Sequence, residues 1–177
     1  MEAQPIRASF VLQEDDVLTA ARLSHAPHVT GLRRALLLLA AVFAGIALLR
    51  TVTAGEAPDP VFGAVAGVTA VMALATPMFV ERSLRRKLPE VKALGQPVTL
   101  ALMEDRLRHE VAGLADTTAA IDALHDVEDR AGGVLLWVAP GEAFWIPDRA
   151  FATPDDRAAF LRRLRAGLDL PAAALDA

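Results

Sequence analysis

Histidines are the residues of this sequence whose type and spacing come closest to a metal site. His25 and His28 lie three residues apart, so one helix would present both imidazoles to the same ion. No third ligand lies nearby and Pro27 disturbs a helix here, so two exposed loop histidines are the favoured interpretation. His109 and His125 lie in strand-like segments that a sheet can bring together, but isolated sheet histidines are again favoured. We therefore predict no metal site.

Acidic clusters are the other groups suited to chemistry. Asp126, Glu128 and Asp129 coincide with the entry to a turn, and Asp155 and Asp156 with the start of a helix, so local structure accounts for them. The chain has no cysteine, which excludes thiol catalysis and disulfides. It also lacks a P-loop, a dinucleotide fingerprint, GxSxG and HExxH. We predict no enzymatic activity and no cofactor.

Composition indicates that part of the chain faces lipid. Of the 177 residues, 54% are hydrophobic and 23% charged, which is too apolar for an ordinary soluble domain of this size. Residues 1–95 contain ten Lys or Arg and eight Asp or Glu, whereas residues 96–177 contain eight and fourteen. Because an acidic C-terminal part opposes phosphate binding, nucleic acid is not a predicted partner.

Two uncharged apolar runs predict a transmembrane helical hairpin at 33–81, with spans at about 33–53 and 61–80. The second run has the roughly 20 residues that cross a hydrocarbon core, and the first reaches that length if Arg50 extends its guanidinium to the interface. A pair of buried core helices is the alternative, but neither run has a polar face. A cleaved signal peptide conflicts with the long, partly acidic stretch that precedes the first run.

Basic residues at the inner ends of the spans predict the orientation. They are Arg33, Arg34, Arg82, Arg85, Arg86 and Lys87. By the positive-inside rule, a multi-pass protein is predicted whose two termini are cytoplasmic and whose loop at 51–60 lies outside. The basic segment 82–95 is interpreted first as a topology determinant, and attraction to anionic lipid headgroups is the alternative.

Small residues predict how the two spans pack. Ala41 and Gly45 of the first span are expected to face Gly63 and Gly67 of the second, because small side chains let helix backbones approach in lipid. This contact is favoured over a dimer formed through the GxxxG motif. Pro77 is expected to kink the second span. The interiors of the spans, at 35–49 and 61–80, contain no ionisable residue, so transport by the hairpin alone is not predicted.

The segments outside the membrane predict an α+β domain. Segment 1–32 begins with a strand at 6–12 followed by a helix, and it is expected to pair with the C-terminal domain at 96–170. That domain has five predicted strands, at 97–103, 106–113, 123–129, 133–139 and 142–147.

A C-terminal amphipathic helix is expected to cover this sheet. Thr153 is its predicted N-cap, Pro154 its first residue and Gly167 lies near its end, before a tail at 171–177. One small antiparallel sheet followed by one helix is, by analogy only, the plan of a pleckstrin-homology-like (PH-like) barrel.

The stretch AFWIPDRAF, residues 143–151, predicts the corner between sheet and helix. Pro147 ends or edges the strand, and Phe151 re-enters the core. Strand alternation sets Trp145 opposite Phe144 and Ile146, which makes Trp145 the candidate for an exposed binding residue.

The same stretch carries a family resemblance. WIPDRAFATPDDRAAFLRRL resembles the C-terminal motif of YcxB-like bacterial membrane proteins, an iPkraF run followed by a helix, and VTLALMEDRLRHE is similar to their strand, acidic turn and second strand. The order of strand and helix, hairpin, basic stretch and β-rich domain is similar as well. At a position where such proteins often have Trp, this chain has Ile121. The resemblance implies a membrane-anchored domain and supplies no catalytic residues.

These features predict an integral membrane protein in which the hairpin anchors a cytoplasmic PH-like interaction module. Its predicted partners are the lipid bilayer and an unidentified protein. The alternative is an accessory subunit of a larger membrane complex, recognised through the small residues of the hairpin. An enzyme would need a polar, concave pocket with convergent charged groups.

Overall fold

The first strand of the chain and the strands that follow its two long helices belong to the same sheet. The computed structural model describes residues 5–55 and 60–169. Residues 1–4, the middle of the predicted loop (56–59) and residues 170–177, which include the predicted tail, lie outside the described residues. The elements in chain order are β1 (Ile6–Val11), α1 (Glu14–Ala54), α2 (Pro60–Lys87), β2 (Pro97–Leu102), β3 (Arg106–Val111), β4 (Ala115–Ala120), β5 (Asp126–Arg130), β6 (Gly133–Ala139), β7 (Glu142–Pro147) and α3 (Pro154–Gly167).

The N-terminal strand is the edge of a four-stranded sheet, in the order β1-β2-β3-β4. β1 pairs antiparallel with β2, from Ile6 opposite Leu102 to Val11 opposite Pro97. The chain divides into one unit of Met1–Ser24 with Lys87–Ala177, called here the β domain, and a second unit of His25–Arg86, the helical hairpin. The first unit joins segments from both sides of the hairpin because β1 pairs with β2, as a lone strand cannot bury its own apolar face.

A second sheet, in the order β5-β6-β7, completes the β domain. The core includes the inward side chains of both sheets and of α3, such as Phe10, Leu102, Leu136 and Phe160. The α+β layout is therefore as predicted, but with two antiparallel sheets where one was expected.

Five of the strands after the hairpin match the predicted ones, and β4 was not predicted. All six residues of β4 are exposed, so the sequence ADTTAA has no apolar alternation to reveal it. Its pairing with β3, from Arg106 opposite Ala120 to Val111 opposite Ala115, forms the strand instead.

Helix α3 begins and ends as the sequence indicates. The Thr153 hydroxyl accepts a hydrogen bond from the backbone N–H of Asp156 at 3.1 Å, and the Asp156 carboxylate accepts one from the Thr153 N–H at 3.1 Å. This reciprocal pair is a capping box. Phe160, Leu161 and Leu164 are buried in the core, so the helix covers the sheets as predicted.

Helix α1 continues through Pro27, which corrects the expectation that this proline breaks the helix near the histidines. A proline removes one backbone hydrogen bond, and α1, with 41 residues, keeps its helical path on both sides. Helix α2 likewise contains Pro77 and ends at Lys87. A short 3-10 turn at Leu88–Glu90, containing Pro89, follows it.

Large side chains of the hairpin, together with a few smaller residues, make its internal contacts. The Phe43 and Phe62 rings lie 6.2 Å apart, and the Arg50 guanidinium lies 5.6 Å from the Phe62 ring centroid. Ala40 and Ala73 are buried. Both helices are long and apolar enough to span a membrane.

The small residues predicted to join the two helices lie elsewhere. Ala41, Gly45, Gly63 and Gly67 are all exposed, and a Cβ atom built on any of the three glycines would meet nothing within 4 Å. Within the described residues of this hairpin, these four positions therefore do not form the contact between the two helices.

Candidate functional site

The β domain contains an apolar pocket with a volume of about 250 Å³. Its walls come from the first turns of α1, the first sheet, β7 and the segment after α2. Among its lining residues are Asp16, Ala20, His109, Phe144 and Trp145. Apart from Asp16 and His109, the lining residues are aliphatic or aromatic. Such a pocket favours an apolar ligand with few polar groups.

His109 is the titratable residue that faces this pocket from β3. Leu107 and Val111, two positions away on either side, are buried in the core, so strand alternation turns His109 inward as well. Its Nε2 atom is buried without a hydrogen-bond partner, and its ring meets the Phe144 ring edge-on at a centroid distance of 4.8 Å. Burial lowers the pKa of His109 below its ordinary value of 6.5, so the imidazole is neutral at pH 7.

Asp16 is the charged residue of the pocket lining, and its charge is compensated. Only 4% of the residue is exposed. Its carboxylate accepts a hydrogen bond from the Gln13 backbone N–H at 2.9 Å and forms an ion pair with Arg149, which also donates to the Val11 carbonyl at 3.4 Å. These contacts fix the start of α1 to the corner before α3 and leave little net charge in the pocket.

The corner motif is buried, which corrects the expected exposure of Trp145. Trp145, Ile146, Pro147 and Phe151 are all buried, whereas Phe144 is 39% exposed. The Trp145 ring lies over the backbone of Gly133, where a Cβ atom would come within 2.7 Å of its Cζ2. Trp145 therefore packs over Gly133 on β6 and lines the pocket. The motif forms the sheet-to-helix corner as predicted.

The acidic residues assigned to local structure also make longer-range contacts. Arg157 forms ion pairs with Asp129 and Asp148, the latter at 2.6 Å, and donates to the Gly133 carbonyl at 3.3 Å. These carboxylates raise the pKa of Arg157 further above its usual range. Glu128 accepts a hydrogen bond from the Trp137 indole at 2.9 Å. These groups hold α3 and the second sheet together.

The other predicted site residues do not converge. His109 belongs to the first sheet, whereas His125 is exposed just before the second. Across residues 5–55 and 60–169, no group of three or more His, Asp or Glu side chains is arranged to hold a metal ion. The basic residues Arg33, Arg34, Arg82, Arg85, Arg86 and Lys87 are exposed, and Arg85 pairs with Glu81 at 3.0 Å.

The pocket itself was not foreseen. Its walls come from segments before and after the hairpin, and no local pattern joins them. One signal was present: the alternation of Leu107, His109 and Val111 sets a histidine on the apolar face of a strand.

Comparisons of the chain with models of protein families, with curated proteins and with solved structures find no match. The fold defines the class of protein: an α+β domain that is interrupted after its first strand by an apolar helical hairpin. The resemblance to YcxB-like proteins stays a prediction from the sequence.

Proposed function

We propose that this chain is an integral protein of a bacterial inner membrane, in which the hairpin spans the bilayer twice and holds the β domain at the cytoplasmic face. The support is the large apolar side chains that the helices expose, such as Leu38 at 68% and Phe79 at 70%. In water these side chains would form an apolar surface far larger than soluble monomers carry. In a bilayer they face lipid.

The observation that carries the proposal is the insertion of the hairpin between two paired strands. β1 precedes the hairpin and β2 follows it, yet the two strands form one ladder. A chain that leaves and re-enters a single sheet must cross the bilayer an even number of times. Two crossings meet this requirement and put both ends of the hairpin on one side, and the six basic residues make the cytoplasm that side.

The β domain in this proposal is a PH-like interaction module that binds a protein or a membrane component, without catalytic activity. Sheets of four and three antiparallel strands with one C-terminal helix suit such a module. An active site is expected to hold several polar side chains that point to one place. The described pocket has no such arrangement, because its lining is mostly apolar.

Single-cysteine labelling tests the membrane topology, because the natural chain has no cysteine. Ala57→Cys tags the predicted outer loop, and Ala123→Cys tags an exposed position of the β domain. In intact cells with a permeabilised outer membrane, an impermeant maleimide should label only Ala57→Cys, and lysis should make Ala123→Cys reactive. Labelling of Ala123→Cys in intact cells, or release of the protein by carbonate, contradicts the proposal.

A second candidate function is an accessory subunit recognised through the hairpin. The outward position of Gly63 and Gly67 favours it, since another helix can approach there. Replacing both glycines with leucine should then abolish recovery of the partner after in-cell crosslinking, whereas Ala64→Leu, at another exposed position of α2, should not. Unchanged recovery points to the β domain as the binding unit.

A further inference from the structure

We propose that the pocket of the β domain binds a small uncharged amphiphile, an alkyl body that carries one hydroxyl group. The volume of about 250 Å³ exceeds the roughly 150 Å³ apolar cavity that accommodates benzene, so a single medium-length alkyl chain fits. This inference goes beyond the interaction module proposed above, and it holds whichever partner that module has.

The polar end of the ligand is assigned by His109. A buried imidazole nitrogen without a partner is costly, and His109, whose Nε2 atom is in that state, belongs to the lining of a pocket that is otherwise almost wholly apolar. A hydroxyl group both donates and accepts, so it complements either tautomer of the neutral ring. A water molecule is a poorer occupant, because an ordered water needs about two to four polar partners and the apolar walls supply few.

The remaining lining residues indicate that the ligand carries no net charge. Asp16 is already paired with Arg149, and His109 is the other titratable side chain among the described lining residues. A carboxylate or ammonium ligand would therefore be buried without a counterion, which is strongly unfavourable. The head group is expected to be an alcohol, supplied either by a free molecule or by a membrane lipid.

Fluorescence of Trp145 provides the test, because this residue belongs to the lining of the pocket. The background is Trp137→Phe, which leaves Trp145 as the single tryptophan of the chain. The full-length protein in lipid nanodiscs is titrated with 8-bromo-1-octanol, whose bromine quenches tryptophan at short range. We expect saturable quenching. Replacement of the disc lipid by one with brominated acyl chains distinguishes the sources, since it quenches only if lipid enters the pocket.

Two variants separate specific binding from partition into the disc. Ala20→Leu fills the pocket from α1 and should weaken binding at least about tenfold, whereas Ala166→Leu, an identical change at an exposed position of α3, should leave it unchanged. His109→Leu should weaken the binding of 8-bromo-1-octanol about fivefold relative to that of 1-bromooctane, which lacks the hydroxyl group, because one hydrogen bond is lost.

Circular dichroism identifies a variant that is unstable. The outcomes of the remaining binding measurements can still be told apart. Equal quenching in Ala20→Leu and its background overturns the pocket as the site. An unchanged preference for the alcohol in His109→Leu overturns the assigned role of the imidazole. No saturable quenching by either the soluble probe or the brominated lipid overturns the proposal altogether. Failure of the topology test leaves this binding result unaffected, because the pocket lies wholly within the β domain.

Discussion

Ile6 lies directly opposite Leu102 in an antiparallel ladder, although both long helices separate them in the chain. Ala8 and Phe10, on the same strand as Ile6, are buried in the core that the C-terminal strands and α3 complete. The β domain therefore cannot finish folding until the chain on both sides of the hairpin is available. Removing the N-terminal segment would leave β2 as an edge strand, unpaired on the side that β1 occupies.

Phe10→Ala is expected to destabilise the β domain by about 3 kcal/mol, because it removes a buried aromatic side chain. The two tryptophans, Trp137 and Trp145, both lie in the second sheet, so their fluorescence during urea unfolding reports on this domain alone. Val11→Ala, at the exposed neighbouring position, should change the free energy of unfolding by less than about 0.5 kcal/mol. Equal effects of the two changes contradict the contribution of β1 to the core.

His109 should make the β domain less stable in mild acid. Burial lowers the pKa of His109 in the folded state below its ordinary value of 6.5. The unfolded chain therefore binds a proton more readily, and stability is lost as the pH falls below about 6.5 toward the folded-state pKa. His109→Phe should reduce the difference between melting temperatures measured at pH 7.5 and pH 5.5. His125→Phe, at an exposed position, is the matched control and should leave that difference unchanged.

Arg157→Ala is expected to cost about 2 kcal/mol, because the guanidinium bridges Asp129, Asp148 and the Gly133 carbonyl while only 22% of its side chain is exposed. Arg157→Lys should recover part of this loss, since lysine keeps the charge but not the planar fork of donors. Arg162→Ala, at an exposed position of the same helix, should have little effect on urea unfolding. A cost as small as that of Arg162→Ala shows that the ion pairs are not stabilising.

The helices and strands that show a pattern in their own residues could be predicted from the sequence. The other elements form through long-range contacts, which the sequence does not reveal. The caps of α3 and the alternation of β6 and β7 can be inferred from neighbouring residues. β4 cannot, because its exposed ADTTAA sequence forms a strand only beside β3. Strand alternation set Trp145 opposite Ile146, but it could not indicate that Gly133 leaves space for the indole ring. The same limit applies to His109, whose pocket is assembled from segments on both sides of the hairpin.

Gly167→Ala should destabilise the β domain, although the same change inside most helices stabilises by about 1 kcal/mol. A Cβ atom at Gly167 would lie 2.6 Å from Cγ2 of the buried Ile121, whose branched side chain cannot swing away easily. Overpacking of this kind costs about 1–3 kcal/mol. In the Ile121→Ala background the 2.6 Å contact with Cγ2 is removed and a 3.2 Å contact with the Cβ of residue 121 is left, so adding Gly167→Ala should cost clearly less than it does in the natural chain. A double-mutant cycle by urea unfolding measures this coupling, and additive effects would show that α3 does not press against Ile121.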